Sequence, residues 1–170
     1  MQNRSIIIMG GLAAVLWALS RTDAGQEVID QGRQLVGLWR PPVQYQDAIA
    51  AAEQSNGLPK DMLARLLWQE SRYRDDIISG AKRSPAGAIG IAQFMPGTAR
   101  DMGIEPSDPW QSISAAARYL AQQYKRFGDW ASALASYNWG PGNVSRYGVG
   151  RAPAETQNYV AQILGDLGMT

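Results

Sequence analysis

The stretch SDPWQSISAAARYLAQQYKRFG, Ser107 to Gly128, constrains the fold more than any other part of the chain. Asp108 is a good helix N-cap, and Pro109 suits the first helical position, where a missing N–H costs nothing. Trp110, Ile113, Ala117, Leu120, Tyr124 and Phe127 recur at three- and four-residue steps, the spacing of one helical face. Gly128 follows as a C-terminal stop. The spacing predicts a helix from Asp108 to Phe127 whose apolar face must pack against other elements.

Those elements also read as helices. Gln44 to Gln54 is alanine-rich and stops at Asn56-Gly57. Pro59 marks the start of a second helix running to about Tyr73. Arg74 to Gly90 holds three glycines, two serines and a proline, and reads as a long loop. A short helix follows Pro96 and ends at Gly103. Asp129 caps another through about Asn138, and the last runs from about Glu155 to Leu167. No stretch alternates apolar and polar residues with β-branched enrichment. The fold class is therefore mostly α: short and medium helices around an alanine-rich core.

The N-terminus differs in kind. IIIMGGLAAVLWAL, Ile6 to Leu19, carries no charge and follows Arg4. It is short for a spanning helix, which needs about 20 apolar residues. It reads as a retained export or membrane signal. The alternatives are a signal peptide cleaved near Ser20 or Ala24, and an N-terminal core helix. The sequence thus divides into a hydrophobic signal or anchor segment (1–20), a tether (21–40) ending at Pro41-Pro42, and one domain (41–170). Either membrane reading puts the domain outside the cytoplasm.

Composition removes several chemistries. The chain has no cysteine and no histidine. Disulfides, thiol nucleophiles, the usual zinc sites and Ser-His-Asp hydrolysis are excluded. Acid–base work falls to Asp, Glu, Lys or Tyr. A net charge of +1 gives no electrostatic case for nucleic acid.

Against that background LLWQESRYR, Leu66 to Arg74, stands out. Leu63, Leu66 and Leu67 precede Glu70 at helical spacing, so Glu70 lies on the apolar stripe. A carboxyl there is either a partner of Arg65, Arg72 or Arg74, or an acid whose pKa is raised by burial. GAIGIAQFMPGTA, Gly87 to Ala99, offers glycines for tight turns or close approach to a ligand, with Gln93 as a neutral amide. It is equally a helix connection with Phe94 and Met95 in the core. SYNWGPGN, Ser136 to Asn143, gathers a phenol, an amide and an indole before a Gly-Pro-Gly break. Such groups suit a sugar site, or simply a helix end packed into the core. Glu155, in ETQNYV, sits at a helix start that favours an anion.

Taken in order, the Glu-Ser pair, GIAQFMPGTA, SYNWGPG and ETQNYV resemble the catalytic domain of soluble lytic transglycosylases, the goose-type-lysozyme-like enzymes that cleave peptidoglycan. The resemblance covers about Tyr45 to Leu167. It implies a lysozyme-like helical domain in which Glu70 is the single catalytic acid/base, accompanied by Ser71. It implies that Tyr137 orients that glutamate, with Asn138 beside it. Gln93 and Met95 would line the glycan cleft, and Glu155 and Tyr159 would contribute to it. Ala92, Ser136 and the long loop Asp75 to Ala88 depart from the family pattern, which bears on subsite shape rather than on the acid.

The implied reaction cleaves the bond between N-acetylmuramic acid and N-acetylglucosamine and leaves a 1,6-anhydro sugar, with no metal or cofactor. The implied partners are peptidoglycan strands, a membrane through residues 6–19, and a larger envelope or virion assembly. The location is the periplasmic side of a membrane, or a phage particle. Two alternatives remain from the sequence. One is a lysozyme-like hydrolase, for which Asp75, Asp76, Asp101 or Glu155 would supply a second carboxylate. The other is a wall-docking or virion component whose site is incidental.

Overall fold

A computed structural model describes residues 39–169. The hydrophobic segment and most of the tether lie outside the described residues. Helix α1 spans Val43–Asn56, and Gly57, at φ 66°, turns the chain out of it. Helix α2 spans Met62–Ser71, α3 Asp75–Ile78 and α4 Pro96–Asp101. The predicted long helix is α5, Pro109–Phe127, with the Asp108 carboxylate accepting from the Trp110 and Gln111 amides and Gly128 closing it at φ 84°. Helix α6 (Trp130–Trp139), α7 (Pro141–Tyr147), a short 3-10 turn (Val149–Arg151) and α8 (Ala154–Asp166) complete the described chain. The one extended pairing among the described residues is an isolated antiparallel bridge between Ile89 and Phe94.

Three local readings change. Helix α2 begins at Met62 rather than Pro59, because its cap comes from another helix. The Glu53 carboxylate, on α1, accepts from the backbone N–H groups of Asp61 (3.0 Å), Leu63 (2.9 Å) and Ala64 (3.2 Å). The long loop after Arg74 contains a turn of helix, α3. Gly140-Pro141-Gly142 does not break the chain into coil. It redirects it, with Gly140 at φ 94° and Pro141 opening α7.

Helix α5 packs on α1 and α6, and α6 packs on α8 and α7. Small side chains are prominent in the interior of these helices: Ala115, Ala116 and Ala117 of α5 and Ala133 and Ala135 of α6 are fully buried. Helix α2 packs on α1, α5 and α8. Every residue from Met62 to Trp68 is buried, so this helix is surrounded rather than amphipathic. Its C-terminal turn delivers Glu70 to the edge of that core. Among the described residues no helix is long and apolar enough to cross a membrane.

Candidate active site

Glu70 occupies the last turn of α2. The helix stops at once behind it, because Arg72 and Tyr73 adopt φ 53° and 54°. Left-handed conformations in non-glycine residues cost about 1–2 kcal/mol each. Surrounding contacts hold them. The Ser71 hydroxyl donates to the Leu67 carbonyl (2.9 Å) and accepts from the Tyr73 amide (3.2 Å). The Tyr73 hydroxyl donates to the Ala64 carbonyl at 2.7 Å. The Arg72 guanidinium stacks 3.6 Å from the centre of the Trp68 ring. Ser71 therefore builds the turn behind the carboxyl and is itself buried.

The Glu70 carboxyl is half-buried and accepts a hydrogen bond from the Tyr159 hydroxyl at 2.7 Å. Burial pushes its pKa up from the ordinary 4.5 to about 7, while the Tyr159 bond and the Arg72 charge pull the other way. Of the arginines weighed as ion-pair partners, Arg65 is bonded to Asp166 (2.6 Å) and Arg74 to Asp76 (2.9 Å). Arg72 acts on Glu70 through its charge, from its seat on Trp68. Burial raises the Tyr159 and Tyr137 hydroxyls well above their ordinary values, so both stay protonated donors around neutral pH.

The direct partner of Glu70 is thus Tyr159, not Tyr137. The Tyr137 hydroxyl donates to the Ala92 carbonyl at 2.9 Å. Its ring packs against Phe94 and Tyr119 at 6.0 and 5.6 Å. Tyr137 therefore supports the wall made by residues 89–94, although it lies close enough for the Glu70 charge to act on it. That wall is a tight turn. Ile89 and Phe94 exchange both backbone hydrogen bonds, and the Gln93 amide donates to the Gly90 carbonyl. Gly90 sits at φ 82°, and a Cβ there would lie 1.7 Å from the Pro106 carbonyl oxygen. Its close approach is to the chain's own backbone, not to a ligand.

Gln93 is half-buried at φ 48°, its side-chain amide donating to the Gly90 carbonyl at 2.8 Å. Met95 is 43% exposed at the end of the turn, an accessible apolar surface. Asn138 is exposed and accepts from the Thr156 hydroxyl at 2.7 Å, tying α6 to the first turn of α8. Glu155 is exposed in that same turn, four residues before Tyr159 and on the same face of α8.

Tyr159 was legible only as a cleft residue. One signal pointed further: with Thr156, Val160 and Ile163 it falls on the buried stripe of the last helix, and a buried tyrosine hydroxyl needs a partner. The four-residue step from Trp68 to Arg72 is the one sequence signal for the stacking of the guanidinium on the indole.

The chemical capacity of the arrangement is that of one carboxyl, protonated near neutrality and oriented by a neutral phenol. A glutamine-bearing turn and an exposed methionine lie on the Tyr137 side.

Comparison with known proteins places the fold in a family. The family model described as "Transglycosylase SLT domain" matches residues 47–160. The chain is 38% identical over 109 residues to the membrane-bound lytic murein transglycosylase F of Alcanivorax borkumensis, covering 59% of this chain and 22% of that protein. It is 29% identical over 128 residues to the transglycosylase of Enterobacteria phage PRD1, covering 75% and 44%. The chain thus spans less than half the length of either relative. The crystal structure of the 70 kDa soluble lytic transglycosylase of Escherichia coli superposes with a TM-score of 0.66 at 26% identity, covering 89% of this chain and 27% of that one. The mostly helical fold, the motif order and the family match agree: the chain belongs to the transglycosylase SLT domain family.

Proposed function

We propose that this protein is a peptidoglycan lytic transglycosylase that cleaves between N-acetylmuramic acid and N-acetylglucosamine with Glu70 as its only acid/base. The observation that carries the proposal is the Glu70 carboxyl: half-buried, lifted to about 7, and fixed by the Tyr159 hydroxyl. Among the described residues, the formal charge acting on it is that of Arg72. Two-carboxylate glycosidases need a second acidic group across the bond, whereas substrate-assisted enzymes do not.

In the proposed reaction, protonated Glu70 donates to the glycosidic oxygen and the C1–O bond breaks. The 2-acetamido oxygen of the muramic acid stabilises the electron-poor C1. Ionised Glu70 then takes the proton of the C6 hydroxyl, whose oxygen closes on C1. One bond is broken, one is formed, Glu70 regains its proton, and no water is consumed.

Gln93 and Met95 form one side of the glycan cleft, with Asn138 and Glu155 reaching it from α6 and α8. Tyr159 orients the acid, Ser71 shapes the turn behind it, and Tyr137 braces the wall. The setting we propose is local wall opening on the outer side of the cytoplasmic membrane or from a phage particle, within a larger assembly. A membrane-bound relative and a phage relative support both versions.

The experiment is a zymogram on peptidoglycan with wild-type and Glu70→Gln proteins of matched circular dichroism. The substituted protein should lose at least ~10²–10⁴-fold in activity, the usual weight of a general acid. Clearing at the wild-type rate by Glu70→Gln would overturn the assignment.

A further inference from the structure

Helices α2 and α8 are joined by two polar links. One is the Tyr159–Glu70 hydrogen bond at 2.7 Å. The other is the Arg65–Asp166 ion pair, with Arg65 Nε 2.6 Å from the Asp166 carboxylate. Arg65 and Glu70 are five residues apart on α2, and Tyr159 and Asp166 are seven apart on α8. The links run in opposite order along the two helices, so the pairing is antiparallel. Between them on α8 lie Val160 and Ile163, both buried and aliphatic. Apolar packing is non-directional and does not by itself set a hydroxyl-to-carboxyl distance.

The second link sits where helix chemistry disfavours both partners. The Arg65 side chain is 0% exposed, inside a run of leucines, while that of Asp166 retains 31% exposure. Its Nη1 donates to the Gln69 side chain at 2.8 Å, and its guanidinium lies 4.7 Å from the centre of the Trp68 ring. Its Nη2 has no hydrogen-bond partner among the described residues. Asp166 is the final residue of α8, where the helix dipole opposes a negative charge. A buried ion pair is a poor way to gain stability, because apolar residues of similar volume serve as well or better. Its documented use is to fix register between elements.

We propose that the Arg65–Asp166 pair is a positioning device: it fixes the register of α8 on α2 so that the Tyr159 hydroxyl meets the Glu70 carboxylate. The proposal rests on the reading of Glu70 as the acid. Arg65 and Asp166 act through Tyr159 and do not touch the substrate. The titratable and charged groups acting around Glu70 are Arg72 just past the end of α2, Tyr159 on α8 and Tyr137 on α6, and the Arg65 charge acts in turn on the Tyr159 hydroxyl.

The test replaces both partners at once, Arg65→Met with Asp166→Leu. This leaves net charge unchanged and leaves no unpaired buried ion. The Glu70 carboxyl is then titrated by 13C NMR in the wild type, in this double variant and in Tyr159→Phe. Because the Tyr159 bond favours the ionised carboxyl, its loss moves the Glu70 midpoint upward. The double variant should move the midpoint in the same direction as Tyr159→Phe. It should lower kcat by about tenfold or more, as misplacement of a catalytic group does, with KM changed less than about twofold. Added to Tyr159→Phe, it should change the midpoint no further, since coupled sites are not additive.

An unchanged Glu70 midpoint in the folded double variant, or full additivity with Tyr159→Phe, overturns the proposal. Should the double variant not fold, Asp166→Glu keeps the charge but displaces it, and the same titration decides with the same two results. The titration reads positioning without any turnover. A wild type that fails to cleave peptidoglycan would therefore defeat the functional reading alone.

Discussion

Helix α5 supplies its own ends, whereas α2 borrows its N-terminal cap from another helix and ends on two strained residues. Asp108 caps α5 from the preceding position and Gly128 releases it. Helix α2 is capped by Glu53 from α1, enters through Asp61 at φ 66°, and leaves through two left-handed non-glycine residues. The buried face of α5 is ordinary, dominated by alanine, isoleucine and leucine. Helix α2 buries an arginine and presents a half-buried glutamate. The self-sufficient helix is scaffold, and the dependent helix carries the proposed acid. Breaches of local rules gather where function constrains the chain and neighbours stabilise the breach.

The contrast can be broken at the caps. Glu53→Ala strips three backbone N–H groups of one buried acceptor and should cost about 2–4 kcal/mol in urea denaturation. Asp108→Ala removes an exposed self-supplied cap and should cost about 1 kcal/mol. Equal losses would mean that α2 depends on α1 no more than α5 depends on its own first turn.

Glu70 sharpens the contrast in the opposite sense. Its pKa is raised in the folded state from 4.5 to about 7. Across that window the folded protein keeps a proton that the unfolded chain releases. The contribution is full below about 4.5, declines as pH rises, and is gone above about 7. Glu70→Gln is free of this loss. At pH 8 it should be more stable than wild type by up to about 3 kcal/mol, with the difference vanishing near pH 4. Urea titrations at the two pH values check this, and equal stability at pH 8 would contradict the raised pKa.

The two tyrosines give the next effect in size. A working acid must be protonated, so kcat should fall as pH rises through about 7. Tyr159→Phe removes a donor that favours the carboxylate, so this basic limb should move to higher pH. Tyr137→Phe removes a bond to the Ala92 carbonyl and should leave the limb near its wild-type position. A pH–kcat profile of the three proteins separates the two roles, and a limb moved by Tyr137→Phe alone would reverse them.

The same contrast explains what the sequence could disclose. Helix α5 was legible to within a residue or two because its cap, periodicity and stop are all local. The alanine core was legible for the same reason, while the apolar stripe expected under Glu70 is in fact a helix buried on every side from Met62 to Trp68. The start of α2 was not legible, because Glu53 lies eight residues before Asp61 on another element. Pro141 opening α7 was hidden by two glycines that read as a break. The partner of Glu70 was misassigned to Tyr137 because motif order carries no distance. Tyr159 is 89 residues away, and only the packing of α8 on α2 brings it to the carboxyl.

The central claim is that one carboxyl does all the acid–base work and the sugar closes on itself. Mass spectrometry of the muropeptides released from purified peptidoglycan tests it most directly, with Glu70→Gln as the control. Muramic acid ends should be 1,6-anhydro, lighter by one water than reducing ends, and the control should release none. Reducing ends from the wild type, or anhydro products at an undiminished rate from Glu70→Gln, would contradict it.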